Sequence, residues 1–116
     1  MIVYSSGNKG IAYFAKRIAS RRGEATLALP EKEEAAGVSV PENESAVFVL
    51  SLQGKRLKEV VEDLFKRVRL VKGQGVYFTL LGGSTIYPLG KLLAEICGHR
   101  NLRFKGIEMV RMPAVA

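Results

Sequence analysis

The chain has 116 residues, 47% of them hydrophobic, which favours one domain spanning residues 1–116 over two. It contains no run of about eighteen apolar residues and no basic-then-apolar leader, so we expect no membrane span, no secretory signal and a cytoplasmic location. The single cysteine, Cys97, excludes an internal disulfide and a cysteine-based metal cage, and the net charge of +7 favours anionic partners.

The first part of the chain predicts two strands joined by a helix. Residues 1–5 and 25–29 are apolar without alternation, which is typical of strands covered on both faces. Between them, apolar residues recur at helical spacing. They are Ile11, Phe14, Ala15, Ile18 and Ala19. Basic residues close this helix, where they suit its C-terminus.

The next segment, residues 30–45, is polar and punctuated by proline and glycine. It allows one short helix around residues 31–36 but no full amphipathic stripe. One side of the predicted sheet is therefore thinly covered, and a homo-oligomer could cover it.

The rest of the chain repeats the alternation of strand and helix. Residues 46–51 and 76–81 predict strands, and a weaker strand lies within 103–111, where dense charge suits a sheet edge. Two further helical stripes lie between these strands. They are Leu57, Val60, Val61, Leu64, Phe65 and Val68, then Leu89, Leu92, Leu93, Ile96 and Cys97.

This alternation predicts an α/β fold with three layers and a five-stranded, mainly parallel sheet in the strand order 2-1-3-4-5. Ligands bind such a sheet beyond the carboxyl ends of its strands, where the strand order reverses. The loops that leave the first, third and fourth strands all contain glycine, and they would converge there. They are residues 5–10, 51–55 and 82–87.

The first of these loops, SSGNKG at residues 5–10, precedes a helix. Backbone N–H groups at such a junction can hold a phosphate. Glycine and asparagine are also frequent in plain tight turns. The residues of this loop therefore allow either a phosphate site or an ordinary turn.

Three segments resemble the flavodoxin family, in order along nearly the whole chain. SSGN at residues 5–8 resembles its phosphate loop. AVFVLSLQGKRLKEVVEDLF at residues 46–65 is similar to its third strand, flavin loop and following helix. GVYFTLLGGSTIYPLGKLLAEICG at residues 75–98 looks like its fourth strand, GG loop and fourth helix. The resemblance implies a flavodoxin-like fold that binds flavin mononucleotide (FMN) non-covalently for electron or hydride transfer.

The resemblance also implies which residues would contact the flavin. The phosphate would lie among Ser5, Ser6, Gly7, Asn8, Lys9 and Gly10. The isoalloxazine ring would lie along Leu52, Gln53 and Gly54. The opposite wall would be Gly82, Gly83, Ser84, Thr85 and Tyr87. Tyr87 would stack on the ring, and Gly54 is the candidate for a peptide that reorients on reduction.

Each of these sites also allows a structural interpretation. Gly82 and Gly83 could simply turn the chain, with Ser84 or Thr85 capping the next helix. The chain differs from the family at Lys9, where flavodoxins usually have threonine. The loop at 51–55 has Leu52 and Gln53 where the family usually has a stacking tryptophan or tyrosine, and we expect the fifth helix common in the family to be absent.

Side chains alone do not predict a catalytic site. His99 and Asp63 are the only histidine and aspartate, and they make no Ser-His-Asp or Cys-His set, so a bound cofactor would have to supply any chemistry. The first hypothesis is an FMN-dependent oxidoreductase or electron carrier, with a redox partner protein or a small-molecule substrate. The alternative is a flavin-free binding or scaffolding module that recognises another nucleotide or an acidic partner, and nucleic-acid binding is the weakest interpretation.

Overall fold

The computed structural model describes residues 1–5, 9–29, 38–51, 56–82 and 87–110. Its elements in chain order are β1 (Ile2–Ser5), α1 (Lys9–Arg22), β2 (Thr26–Leu29), β3 (Val38–Ser39), β4 (Ala46–Ser51), α2 (Leu57–Arg67), β5 (Val68–Arg69), β6 (Gly75–Leu81), α3 (Tyr87–His99) and β7 (Arg103–Val110). The expected short helix at 31–36 and the absence of a fifth helix concern segments outside these ranges. Among the described helices, none is long and apolar enough to cross a membrane.

The main sheet has five strands, all parallel to their neighbours, in the order β2-β1-β4-β6-β7. The α/β class and the parallel sheet predicted from the sequence are confirmed. The predicted order 2-1-3-4-5 needs correction, because it counted five strands and the described chain has seven.

The two additional strands are short and pair with each other outside the main sheet. Val38 of β3 lies level with Val68 of β5, and Ser39 with Arg69. Val68 was predicted as the last apolar position of a helix, and this is wrong, since α2 ends at Arg67 and the backbone of Val68 is extended. Its side chain is nevertheless buried, because it packs in the same core as the apolar side chains of α2.

Helices cover both faces of the main sheet, so the described part of the chain has the three layers of an α/β fold. On one face, α1 packs its apolar stripe against β1 and β4. The buried residues there are Ile2, Tyr4, Ile11, Ala15, Ala19, Val47, Val49 and Leu81. On the other face, α2 and α3 enclose a larger core around the stacked rings of Phe48 and Phe78, whose centroids are 5.6 Å apart.

Strand β7 forms one edge of the sheet, as its charge predicted. Its side chains Arg103, Lys105 and Glu108 are exposed. Val76 lies level with Phe104 but Tyr77 lies level with Gly106, so Lys105 is an extra residue in a bulge. Charge and bulging both protect an edge strand from pairing with other chains.

At the amino-terminal edge of the sheet, the buried amide of Gln74 joins two turns. Its Nε2 donates to the carbonyl oxygens of Pro41 and Glu44, each at 2.9 Å. Its Oε1 accepts a hydrogen bond of 2.9 Å from the backbone N–H of Val71. The turn after β3 is therefore fixed to the turn before β6.

Candidate functional site

Three neighbouring strands, β1, β4 and β6, end at one edge of the sheet. Tyr4 is level with Val49 and Val49 with Thr79, so the three strands run in step. The last pair of β4 and β6 is Ser51 with Leu81. The loops that follow these strands consequently leave the same edge side by side, which is where ligands bind in open parallel sheets.

The described residues among the predicted site all lie at this edge. Ser5 ends β1, Lys9 and Gly10 begin α1, Gly82 follows β6 and Tyr87 begins α3. The side chains of Ser5, Lys9 and Tyr87 are outside the described part. The remaining predicted residues fall wholly outside it. They are Ser6, Gly7, Asn8, Leu52, Gln53, Gly54, Gly83, Ser84 and Thr85.

Helix α1 begins at Lys9, four residues after β1 ends at Ser5. The N-terminus of a helix carries a partial positive charge and backbone N–H groups that suit a phosphate. The first turn of α1 holds no acidic residue that would oppose an anion, and the same is true of α3. By contrast, α2 has Glu59 in its first turn.

Gly82 has a definite structural role at the end of β6. Its φ of 74° lies in the left-handed region that other residues adopt at a cost. Its N–H donates a 2.9 Å hydrogen bond to the carbonyl oxygen of Val110. This N–H is therefore engaged with β7, and Gly82 would shape a ligand site through its backbone turn rather than by donating to the ligand.

The described ranges contain no cluster of metal-binding side chains. No group of three or more His, Cys, Asp or Glu side chains there could hold a metal ion. Asp63 faces Arg67 on α2 at 3.6 Å, and His99 is exposed at the end of α3. Burial raises the pKa of the Cys97 thiol to about 11, which makes it a poor nucleophile at neutral pH.

One pair of polar side chains was missed by sequence reasoning. The hydroxyl of Tyr77 donates to Glu108 Oε2 at 3.3 Å, across β6 and β7. Burial raises the pKa of Tyr77, and the neighbouring Glu108 carboxylate raises it further. The two residues are 31 positions apart, so only the pairing of the strands could reveal this contact.

Comparisons of the chain with known protein families, with curated proteins and with solved structures found no match in any of the three.

Proposed function

We propose that this protein binds FMN beyond the carboxyl ends of β1, β4 and β6 and transfers electrons or hydride to a partner. The observation that supports the proposal is the shared edge at which these three strands end. Their loops are far apart in the chain, and all of them contain glycine. A flavin needs such convergence, because its phosphate and its ring must be held by separate segments.

The phosphate would bind at the start of α1, among Ser6, Gly7 and Asn8, where the helix dipole favours an anion. Lys9 would add a positive charge in place of the hydroxyl that flavodoxins use. The loops after β4 and β6 would hold the ring from its two sides. When bound, FMN would supply the redox chemistry, and the chain would supply position and electrostatics.

The test is the binding of FMN to the purified protein, followed by visible absorption and by quenching of flavin fluorescence. Asn8→Asp keeps the shape of the side chain but places a negative charge beside the proposed phosphate. We expect it to weaken FMN binding at least about tenfold through electrostatic repulsion. Riboflavin, which lacks the phosphate, should be affected far less.

The matched control is Asn43→Asp, which makes the same charge change at an exposed residue near the opposite edge of the sheet. It should leave FMN affinity within about twofold, since distant exposed charges are screened. Equal affinity of the two variants for FMN would contradict the proposed phosphate site. Thermal stabilisation by another phosphate ligand, but not by FMN, would select the flavin-free alternative.

A further inference from the structure

The outward face of α1 carries positive charge without any negative charge. Its residues follow the spacing of one helix face, and we call them the α1 basic face. They are Tyr13, Lys16, Arg17, Ser20 and Arg21. All five are exposed, and α1 contains no aspartate or glutamate anywhere along its length.

The cations of this face have no carboxylate partners in the described part of the chain. Arg22, just beyond the face, is paired with Glu24, but Lys16, Arg17 and Arg21 make no ion pair there. The exposed surface of α2 differs, because Lys58, Glu59, Asp63 and Lys66 mix both signs. A face that serves only to be solvated usually mixes charges in this way.

Tyr13 gives the basic face an exposed apolar centre. It is 60% exposed. The other exposed large hydrophobic residue in the described part of the chain, Val71, is only 38% exposed. Its ring meets Phe14 edge-to-face at 6.0 Å, and its hydroxyl accepts a long hydrogen bond of 3.4 Å from Arg17 Nη1. These two contacts hold the ring on the outer surface of the helix, beside the positively charged Arg17.

We propose that the α1 basic face docks an acidic surface of a partner protein. Tyrosine and arginine are the residue types that contribute most to protein interfaces, and unpaired cations select an acidic partner. A protein partner would also cover the half-buried Phe14 and Ile18 beside the face. This proposal does not depend on flavin binding.

A nucleic acid fits these features less well than a protein. Its affinity for a basic surface grows with the number of phosphates that are neutralised. Lys16, Arg17 and Arg21 lie within about two helical turns and could neutralise only a few.

The experiment measures binding of a fluorescent acidic peptide by anisotropy. The peptide is a helix of about twenty residues with a row of glutamates around one central leucine, long enough to span the face. The triple variant K16E/R17E/R21E should weaken its binding at least about tenfold. Y13S should weaken it about threefold, and this loss should vanish when the peptide leucine is replaced by serine.

The control is K58E/K66E/K72E, which changes the net charge equally at three exposed lysines outside α1. It should lower affinity by less than about threefold, since it alters only the overall charge. The proposal is overturned if the two triple variants lose affinity equally, or if the peptide does not bind the unmodified protein. It is also overturned if an oligothymidylate binds the α1 basic face more tightly than the peptide, which would make the face a nucleic-acid surface.

Discussion

Gln74 is a single residue on which two turns depend. Both ends of its buried amide are hydrogen-bonded to backbone groups, so no part of it is left to water. Removing such a group lowers the free energy of unfolding by more than the net contribution of the hydrogen bonds themselves. The reason is that the partly buried carbonyl oxygen of Glu44 and N–H of Val71 lose a hydrogen bond that offsets their desolvation. The carbonyl oxygen of Pro41 keeps its bond from the Glu44 N–H.

We expect Gln74→Leu to lower the free energy of unfolding by about 2 to 4 kcal/mol, because it removes three hydrogen bonds of 2.9 Å to partly buried backbone groups of two turns. Urea denaturation would measure this loss. The control is Asn43→Leu, in the turn that Gln74 holds but at an exposed side chain, where the change should be within about 0.5 kcal/mol. Equal effects at the two positions would contradict the role assigned to the buried amide.

Glu24 is a second residue, and its contribution to stability should depend on pH. Its Oε1 accepts a 2.8 Å hydrogen bond from the Met1 ammonium, and Arg22 Nε pairs with its other oxygen. The hydrogen bond from the ammonium lowers the pKa of Glu24 most, with further lowering by the nearby charges of Met1 and Arg22, while burial opposes the shift. A carboxyl group whose pKa is lower in the folded than in the unfolded state stabilises the protein at pH values above its unfolded pKa. This stabilisation is lost as the pH falls through the folded pKa.

We therefore expect the unmodified protein to be more stable than Glu24→Gln at neutral pH. The difference should shrink as the pH falls below about 4.3, the usual pKa of an unfolded glutamate. Urea unfolding at a series of pH values would measure it. Acetylating the Met1 ammonium should remove much of the difference, and a difference that stays constant with pH would contradict the assignment.

At the scale of single elements, β7 depends on a glycine. Gly106 has a φ of 151°, and a Cβ there would lie 3.0 Å from Cε2 of Tyr77. A Cβ at this position would therefore fit only if the Tyr77 ring shifted by a few tenths of an ångström, and the positive φ would strain any other residue. Gly98 of α3 differs, because nothing lies within 4 Å of its Cβ position.

We expect Gly106→Ala to lower the free energy of unfolding by about 1 to 3 kcal/mol, through backbone strain and the contact with Tyr77. Gly98→Ala is the control, and it should be neutral or raise stability by up to about 1 kcal/mol, because alanine favours the helix. Thermal unfolding of both variants would measure these changes. Similar destabilisation by the two would show that glycine at 106 has no special role.

At the scale of the whole molecule, the sheet separates two cores of unequal size. The core beneath α2 and α3 contains Phe48, Phe65 and Phe78 in mutual contact, and Cys97 is fully buried in it. A thiol in that position can meet a solvent reagent only when the structure opens. Cys97 therefore reports on the opening of the molecule around it.

We expect Cys97 to react with a thiol reagent at neutral pH only slowly, because burial raises its pKa to about 11 and blocks access. The rate should rise in denaturant in parallel with unfolding followed by circular dichroism. Ser20→Cys, on the exposed face of α1, would add an internal control thiol that reacts at once. Rapid labelling of both thiols in the native protein would contradict this burial.

The shared edge of the candidate site was predictable, since it depends only on which strands are neighbours and parallel. The hydrophobic pattern alone predicts that the loops after β1, β4 and β6 leave this edge, and the three strands do end there. The hydrogen bond that the N–H of Gly82 makes was not predictable. Its N–H bonds to Val110, 28 residues further on, so its availability to a ligand depends on where β7 lies.

The spacing of apolar residues located the strands and helices well. Strand β4 begins and ends where its pattern predicted, and β6 begins one residue earlier, at Gly75. Such patterns are local, because each side chain's preference for water or core repeats at the period of its own element. The pairing of β3 with β5, the hydrogen bonds of Gln74 and the contact of Tyr77 with Glu108 join residues about thirty positions apart. Those contacts follow from the packing of the whole chain, since two-residue strands and single polar side chains have no period of their own to reveal a distant partner.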